Sequence, residues 1–219
     1  MVAAGGRGDR APGETPKQFR ALGGKPLLSW SLEVLAEAGC APIVIAAPPD
    51  LLAAARECFE PGLQAQVVSG GVTRQASVAI ALKQVTHSRV VVHDGARPFI
   101  DADIVRRVLA ALERAQGAVS AVPVDETVKR VHDHLVAETV DRATLWRAQT
   151  PQAFHTADLR RAHEKAAAEG FVGTDDAQLI ERYGGRVAVV RGSRRNVKLT
   201  YADDFKVAEA LIARGRSQG

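Results

Sequence analysis

The run Arg89-Val90-Val91-Val92-His93-Asp94-Gly95-Ala96-Arg97-Pro98 carries an unbroken apolar segment into an aspartate and then into a turn holding Gly95 and Pro98. A continuous apolar run of this length reads as a strand buried on both faces, as in a parallel sheet. An aspartate at the carboxyl end of such a strand lies at the crevice where open sheets bind ligands. Its chemical task there would be to hold a divalent metal against phosphate oxygens. Capping a helix or a turn is the plainer alternative. Arg97 is a candidate substrate contact, or else the partner of a nearby acid.

Similar apolar runs recur at Ile43–Ala47, 66–68, 118–122 and 187–190, and each reads as a buried strand. Between them, helical periodicity covers 27–38, 51–59, 73–84, 104–115, 157–169, 176–183 and 202–213. Asp101 and the pair Thr200 and Asp203 have the chemistry of helix N-termini, and Gly39, Gly117, Gly170 and Gly184 stand where helices should stop. This alternation predicts an α/β fold: a Rossmann-like open, mostly parallel sheet in an α/β/α sandwich. One domain over 1–219 is expected. The segment at about 125–146 breaks the rhythm, with Val128, Val131, Leu135, Val136 and Val140 spaced as in a hairpin. A projecting arm with exposed apolar positions needs a cover, and a second copy of the chain supplies one, so a homodimer is expected.

The bulk composition narrows the function. Of 219 residues, 46% are apolar and 25% charged, with a net charge of +4 and only 5% aromatic residues. That balance, without a long basic run, points to small anionic ligands and away from nucleic acid. Cys40 and Cys58 lack metal-ligand spacing and read as reduced thiols of a cytoplasmic protein. No apolar stretch approaches the ~18 residues of a membrane span.

The opening of the chain, Val2-Ala3-Ala4-Gly5-Gly6-Arg7-Gly8-Asp9-Arg10, followed by Pro16-Lys17-Gln18, has the makings of a phosphate loop. Glycine lets the backbone approach an anion closely, and Arg10 and Lys17 add full charges. The spacing matches neither a Walker A loop nor a Rossmann fingerprint. An ordinary solvated turn is the alternative. Only Met1 and Val2 precede the alanines, so the strand that should feed this loop looks truncated or missing.

Four further clusters are candidates. Thr127 and Lys129, with Asp141-Arg142, put a hydroxyl and cations on the arm, where a salt-paired surface is the default. Gln149-Thr150-Pro151-Gln152-Ala153-Phe154 reads as a polar turn before a helix, suited to phosphate or sugar contacts. Thr174-Asp175-Asp176 opens a helix, with capping its commoner role. Asn196-Val197-Lys198-Leu199-Thr200 follows a strand and would place Lys198 at its end.

Taken in order, these motifs resemble the 2-C-methyl-D-erythritol 4-phosphate cytidylyltransferases over nearly the whole chain. They are the Gly-rich loop with Arg10 and Lys17, Gly70-Gly71 with Arg74 and Ser77, His93-Asp94-x-Ala96-Arg97-Pro98 and Thr127-x-Lys129. Asp141-Arg142, Gln149-Thr150-Pro151-Gln152-x-Phe154, Thr174-Asp175-Asp176 and Asn196-x-Lys198-x-Thr200 complete the series. The resemblance implies transfer of cytidylate from CTP to a sugar-alcohol phosphate with release of pyrophosphate, Mg²⁺ as cofactor, and two small-molecule substrates. By likeness, Arg10, Lys17, Arg142 and Lys198 are catalytic. Ala4, Gly5, Gly6, Gly8, Arg10, Lys17, Gly71, Ser77 and Asp94 hold CTP, with Asp94 on the metal. Thr127, Arg142, Thr150 and Lys198 hold the acceptor, Thr127 and Arg142 reaching in from the partner's arm. Glu126, Val72 and the pair Arg194 and Arg195 depart from the family pattern. A ribitol 5-phosphate cytidylyltransferase, a CTP-binding regulatory module and one half of a bifunctional chain are the alternative readings.

Overall fold

The computed structural model describes residues 1–5 and 16–216. Gly6, Gly8 and Arg10 of the expected phosphate loop lie outside the described residues. Strands β1 (Val2–Ala3), β4 (Ile43–Ala47), β5 (Ala65–Ser69), β6 (Arg89–Asp94), β7 (Gly117–Pro123), β10 (Trp146–His155) and β11 (Val187–Arg191) form one sheet in the order β11-β7-β10-β6-β1-β4-β5. All run the same way except β10, which is antiparallel to both β6 and β7.

Alternation along each central strand divides the core into two layers. Ile43, Ile45 and Val91 pack on one face with Leu28, Leu32 and Leu35 of α1 (Leu27–Glu37) and Val105 and Val108 of α4 (Ala102–Ala110). Val44, Ala46, Val90 and Val92 pack on the other. There they meet Val78 and Leu82 of α3 (Arg74–Leu82), Leu159 of α5 (Thr156–Glu169) and Leu179 of α6 (Asp176–Arg182). Burying both faces is what demands unbroken apolar strands. The short helix α2 (Leu52–Arg56) follows a 3₁₀ turn at Pro49–Leu51. The last helix, α7 (Ala202–Arg216), places Ala208 against Leu22, Leu27 and Leu199, beside the small hairpin of β2 (Ala21–Leu22) and β3 (Lys25–Pro26).

Three expectations are corrected. The first strand is present: Val2 and Ala3 pair with Ile45 and Ala46 on one side and His93 and Asp94 on the other. Two residues suffice because both neighbours already supply a ladder. Second, 149–154 is no turn but part of β10, one of the central strands, with a register shift between Ala148 and Gln152. Third, Gly117 ends no helix. α4 stops at Ala110 and passes through a 3₁₀ turn, and Gly117 opens β7, where a Cβ would sit 2.8 Å from the ring of Phe154. Gly39, Gly170 and Gly184 do follow helices, at φ of 82°, 65° and 82°, the left-handed region glycine adopts freely.

The arm is the expected hairpin, β8 (Val128–His132) paired antiparallel with β9 (Leu135–Val140). Asp133 and His134 at its tip both have positive φ, 50° and 62°, as a two-residue hairpin turn requires. Val131, Leu135 and Val136 remain exposed, as does Trp146 at the base.

Candidate active site

A cleft of about 970 Å³ opens over the carboxyl ends of the parallel strands, lined by Ala4, Gly5, Lys17, Gly71, Ser77, Asp94 and Lys198 among others. Among the described residues its charged lining is Lys17, Arg74 and Lys198 against one carboxylate, Asp94, a surplus of positive charge suited to a polyphosphate. Of the residues expected to hold CTP, every described one therefore reaches a single cavity.

Asp94 ends β6 at the cleft floor. Its Oδ1 accepts from Arg74 Nε and its Oδ2 from Lys198 Nζ, each at 2.8 Å. Burial pushes the Asp94 carboxyl upward, but Arg74 and Lys198 outweigh it and hold the group well below the usual carboxylate range. Lys198 does not sit at a strand end, since β11 stops at Arg191. Instead the amide of Leu199 donates to the carbonyl of Ala96 at 2.9 Å, which fastens this late loop to the turn after β6.

Thr150 supports the floor from beneath. Its Oγ1 accepts from the amide of Asp94 at 3.0 Å and lies 3.0 Å from His93 Nδ1. His93 Nε2 lies 3.1 Å from the carbonyl of Arg97. A carbonyl can only accept, so Nε2 carries the hydrogen, Nδ1 is bare, and the Thr150 hydroxyl donates to it. The neutral ring follows from complete burial, which pulls the His93 pKa down to about 4 despite the neighbouring Asp94. Thr150 is itself buried, and Asn196 Nδ2 donates to its carbonyl at 2.8 Å. Its hydroxyl is thus committed to Asp94 and His93 and does not line the cleft.

The glycine wall is a matter of space. Ser77 Oγ accepts from the amide of Gly71 at 3.1 Å and donates to the carbonyl of Thr73 at 2.9 Å. A Cβ on Gly71 would lie 2.6 Å from Ala76 Cβ, and one on Gly5 would lie 3.1 Å from Ser77 Oγ. Thr73 caps α3 by accepting from the amide of Ala76, and Gln18 Nε2 donates to the carbonyl of Ala4 at 2.5 Å, holding the start of the chain to Lys17's turn.

Thr127 and Arg142 stand apart. Both are exposed on the arm, neither lines the cleft of its own chain, and Arg142 donates to the carbonyl of Asp125. Lys129 is spent across the hairpin on Thr139 Oγ1 at 2.6 Å. Val72 stands fully exposed at the cleft mouth.

Sequence left Arg74 without a role of its own and read Asp176, with Thr174 and Asp175, as opening or capping a helix. Arg74 links Asp94 to Asp176, and Asp176 in turn meets His163. A signal existed for Arg74: a cation in the first turn of a helix opposes the helix dipole and calls for an acidic partner. None existed for Asp176, because a buried carboxylate and a capping one look alike in sequence.

An open α/β/α sheet whose strand ends hold a cationic cleft around Asp94 fits a nucleotidyltransferase, the class its relatives belong to. A family model described as IspD, 2-C-methyl-D-erythritol 4-phosphate cytidylyltransferase, matches residues 1–214. The chain belongs to that family. It is 40% identical over 222 residues to the 2-C-methyl-D-erythritol 4-phosphate cytidylyltransferase of Geobacter metallireducens, covering 97% of this chain and 96% of that protein. It is 43% identical over 227 residues to the bifunctional enzyme IspD/IspF of Rhizobium rhizogenes, with 98% of this chain matching 56% of that one. Its fold matches the crystal structure of the Thermus thermophilus 2-C-methyl-D-erythritol 4-phosphate cytidylyltransferase with a TM-score of 0.80 at 39% identity, over 96% of this chain and 97% of that one. No helix among the described residues is long and apolar enough to cross a membrane.

Proposed function

We propose that the chain transfers the cytidylyl group of CTP to 2-C-methyl-D-erythritol 4-phosphate, giving 4-diphosphocytidyl-2-C-methyl-D-erythritol and pyrophosphate. The observation that carries this reading is the convergence of Lys17, Arg74 and Lys198 on a cleft whose one acid among the described residues is Asp94. The acceptor attacks through a phosphate monoester that is already anionic at neutral pH, so no strong general base is needed. The barrier is repulsion between two anions and the charge that gathers on the bridging oxygen, and fixed cations lower both. Lys17, with Arg10, embraces the triphosphate. Lys198 lies beside Asp94, where the α-phosphate and the incoming phosphate must meet. Gly5, Gly71 and Ser77 shape the base and ribose pocket, with Ala4 beside them.

Asp94 also suits a magnesium ion. Among the described residues no cluster of three or more His, Cys, Asp or Glu could hold a metal alone. Mg²⁺, however, commonly takes only one or two carboxylates and completes its shell with substrate phosphates and water. Among the described residues each Asp94 oxygen accepts a single hydrogen bond and keeps a lone pair. When bound, the ion would neutralise phosphate oxygens; orienting the substrates falls to Lys17, Lys198 and the glycine wall.

The arm completes the site in a dimer. Its exposed Val131, Leu135 and Val136 call for a partner surface, and Thr127 and Arg142, which do not line their own chain's cleft, would serve the partner's acceptor pocket. The free thiols Cys40 and Cys58 suit the reducing cytoplasm. The test is pyrophosphate release from CTP and Mg²⁺, with 2-C-methyl-D-erythritol 4-phosphate, with ribitol 5-phosphate, and with neither. Release that requires methylerythritol phosphate is expected. Release with ribitol phosphate alone would move the acceptor, and binding of CTP without release would leave a regulatory module.

A further inference from the structure

We propose that Asp176 is a positioning residue of the cleft, acting through Arg74 to set how Asp94 is presented. The guanidinium of Arg74 is divided between two carboxylates. Nε donates to Asp94 Oδ1 at 2.8 Å, and Nη1 donates to Asp176 Oδ2 at 2.7 Å. An arginine facing one carboxylate tends to grip both its oxygens as a fork. Asp176 instead holds Nη1 on the opposite side of the guanidinium, while Nη2, the group that would complete a fork with Nε, is buried without a hydrogen-bond partner among the described residues, so Asp94 receives one bond from Arg74 and keeps Oδ2 for Lys198.

Asp176 is itself held from both sides. It is almost wholly buried, and its other oxygen, Oδ1, lies 3.0 Å from His163 Nε2 on α5. The turn that carries it is fastened on two sides. Gln152 of β10 donates to Asp175 Oδ2 at 2.8 Å and accepts from the amide of Ala177 at 3.2 Å. Gln75, next to Arg74, donates to the carbonyl of Phe171 at 3.0 Å and accepts from the amide of Gly173 at 2.9 Å. A buried charge is costly unless firmly paired. Here that pairing serves an arginine whose other end is in the cleft, which gives Asp176 a use beyond opening α6.

The inference rests on the cytidylyl-transfer reading, so its test has one arm that needs turnover and one that does not. Asp176→Ala should lower kcat about 10–100-fold, the usual effect of removing a group that orients a ligand-binding side chain. In an Arg74→Ala background the same change should cost no more than about threefold, because residues acting as a unit are not additive. Asp176→Asn, which keeps an oxygen for Nη1, should recover most of the loss. In ¹⁵N-arginine spectra the Arg74 Nε–H signal, assigned by its loss in Arg74→Ala, should exchange more than about tenfold faster in Asp176→Ala. Asp176→Leu, which refills the buried space, carries both measurements if the alanine variant does not fold. Full turnover in Asp176→Ala, multiplying losses in the double variant, no recovery in Asp176→Asn, or an unchanged Arg74 signal would each overturn the inference. A wild-type protein without cytidylyl transfer would overturn the activity instead, with the Arg74 signal still deciding the role of Asp176.

Discussion

Lys198 Nζ and Asp94 Oδ2 meet at 2.8 Å although 104 residues separate them in the chain. The contact joins the end of β6 to a loop held in place by the Leu199–Ala96 backbone bond, by the Asn196 bonds to Thr150 and Arg97, and by Leu199 packing with Ala208 of α7. Charge at the cleft is therefore assembled by tertiary structure around a carboxylate that the sheet positions.

Lys17→Ala should lower turnover by about 10²–10³, the usual effect of losing one preorganised donor to a developing charge. Its folding should be unaffected, because Lys17 lies on a short 3₁₀ turn at the cleft edge. Steady-state kinetics beside a thermal melt separate the two, and near-normal turnover would remove Lys17 from the catalytic set.

Thr150→Val preserves shape but deletes a hydroxyl that serves two buried partners. The amide of Asp94 and Nδ1 of His93 would both lose their hydrogen bond, at about 1–3 kcal/mol for each group left unsatisfied. Urea unfolding should show the loss as a lower midpoint with an unchanged slope. Turnover should fall as well, since Asp94 loses its anchor.

Acid should weaken the fold through His93. Its folded pKa is near 4 against an ordinary 6.5, so between those values the unfolded chain binds a proton that the folded chain refuses. Stability then rises with pH across that window. At ~1.4 kcal/mol per pKa unit, about 3 kcal/mol is lost on acidification from pH 7 to 4. His93→Gln should be less stable at neutral pH, yet its stability should fall less steeply over the same range. Equal slopes in the two proteins would show that His93 is not the group responsible.

Leu135→Asp combined with Val136→Asp should yield a monomer by light scattering. Each change puts a charge on an exposed apolar arm position. Turnover should collapse with the dimer, because Thr127 and Arg142 do not line their own chain's cleft. The melting of the isolated subunit should barely move, since the arm contributes nothing to the buried clusters. A fully active monomer would rule out a shared site.

What can be read from sequence follows from what each segment is for. Ile43–Ala47 and Arg89–Asp94 are legible as strands because both of their faces are buried, which demands continuous apolar residues. Trp146–His155 is as central, yet its stretch 149–154 reads as a turn. Its Gln149, Thr150 and Gln152 spend their side chains on the Asp94, Asp175 and Asn196 networks, so its pattern is polar where a core strand's is apolar. Val2–Ala3 is illegible for another reason: two residues carry no periodicity at all.

By itself the sequence determined the alternating α/β order, the arm with its exposed valines and leucine, and the motif series that marks the family. These are local properties, written in periodicity and spacing. Only the tertiary structure decided that Asp94 is shared by Arg74 and Lys198, that Thr150 faces inward to His93, and that Asp176 reaches past its helix to Arg74. Each of those depends on a contact between distant segments. The same aspartate, threonine or lysine would read identically in sequence whether it capped a helix, faced water or held the cleft together.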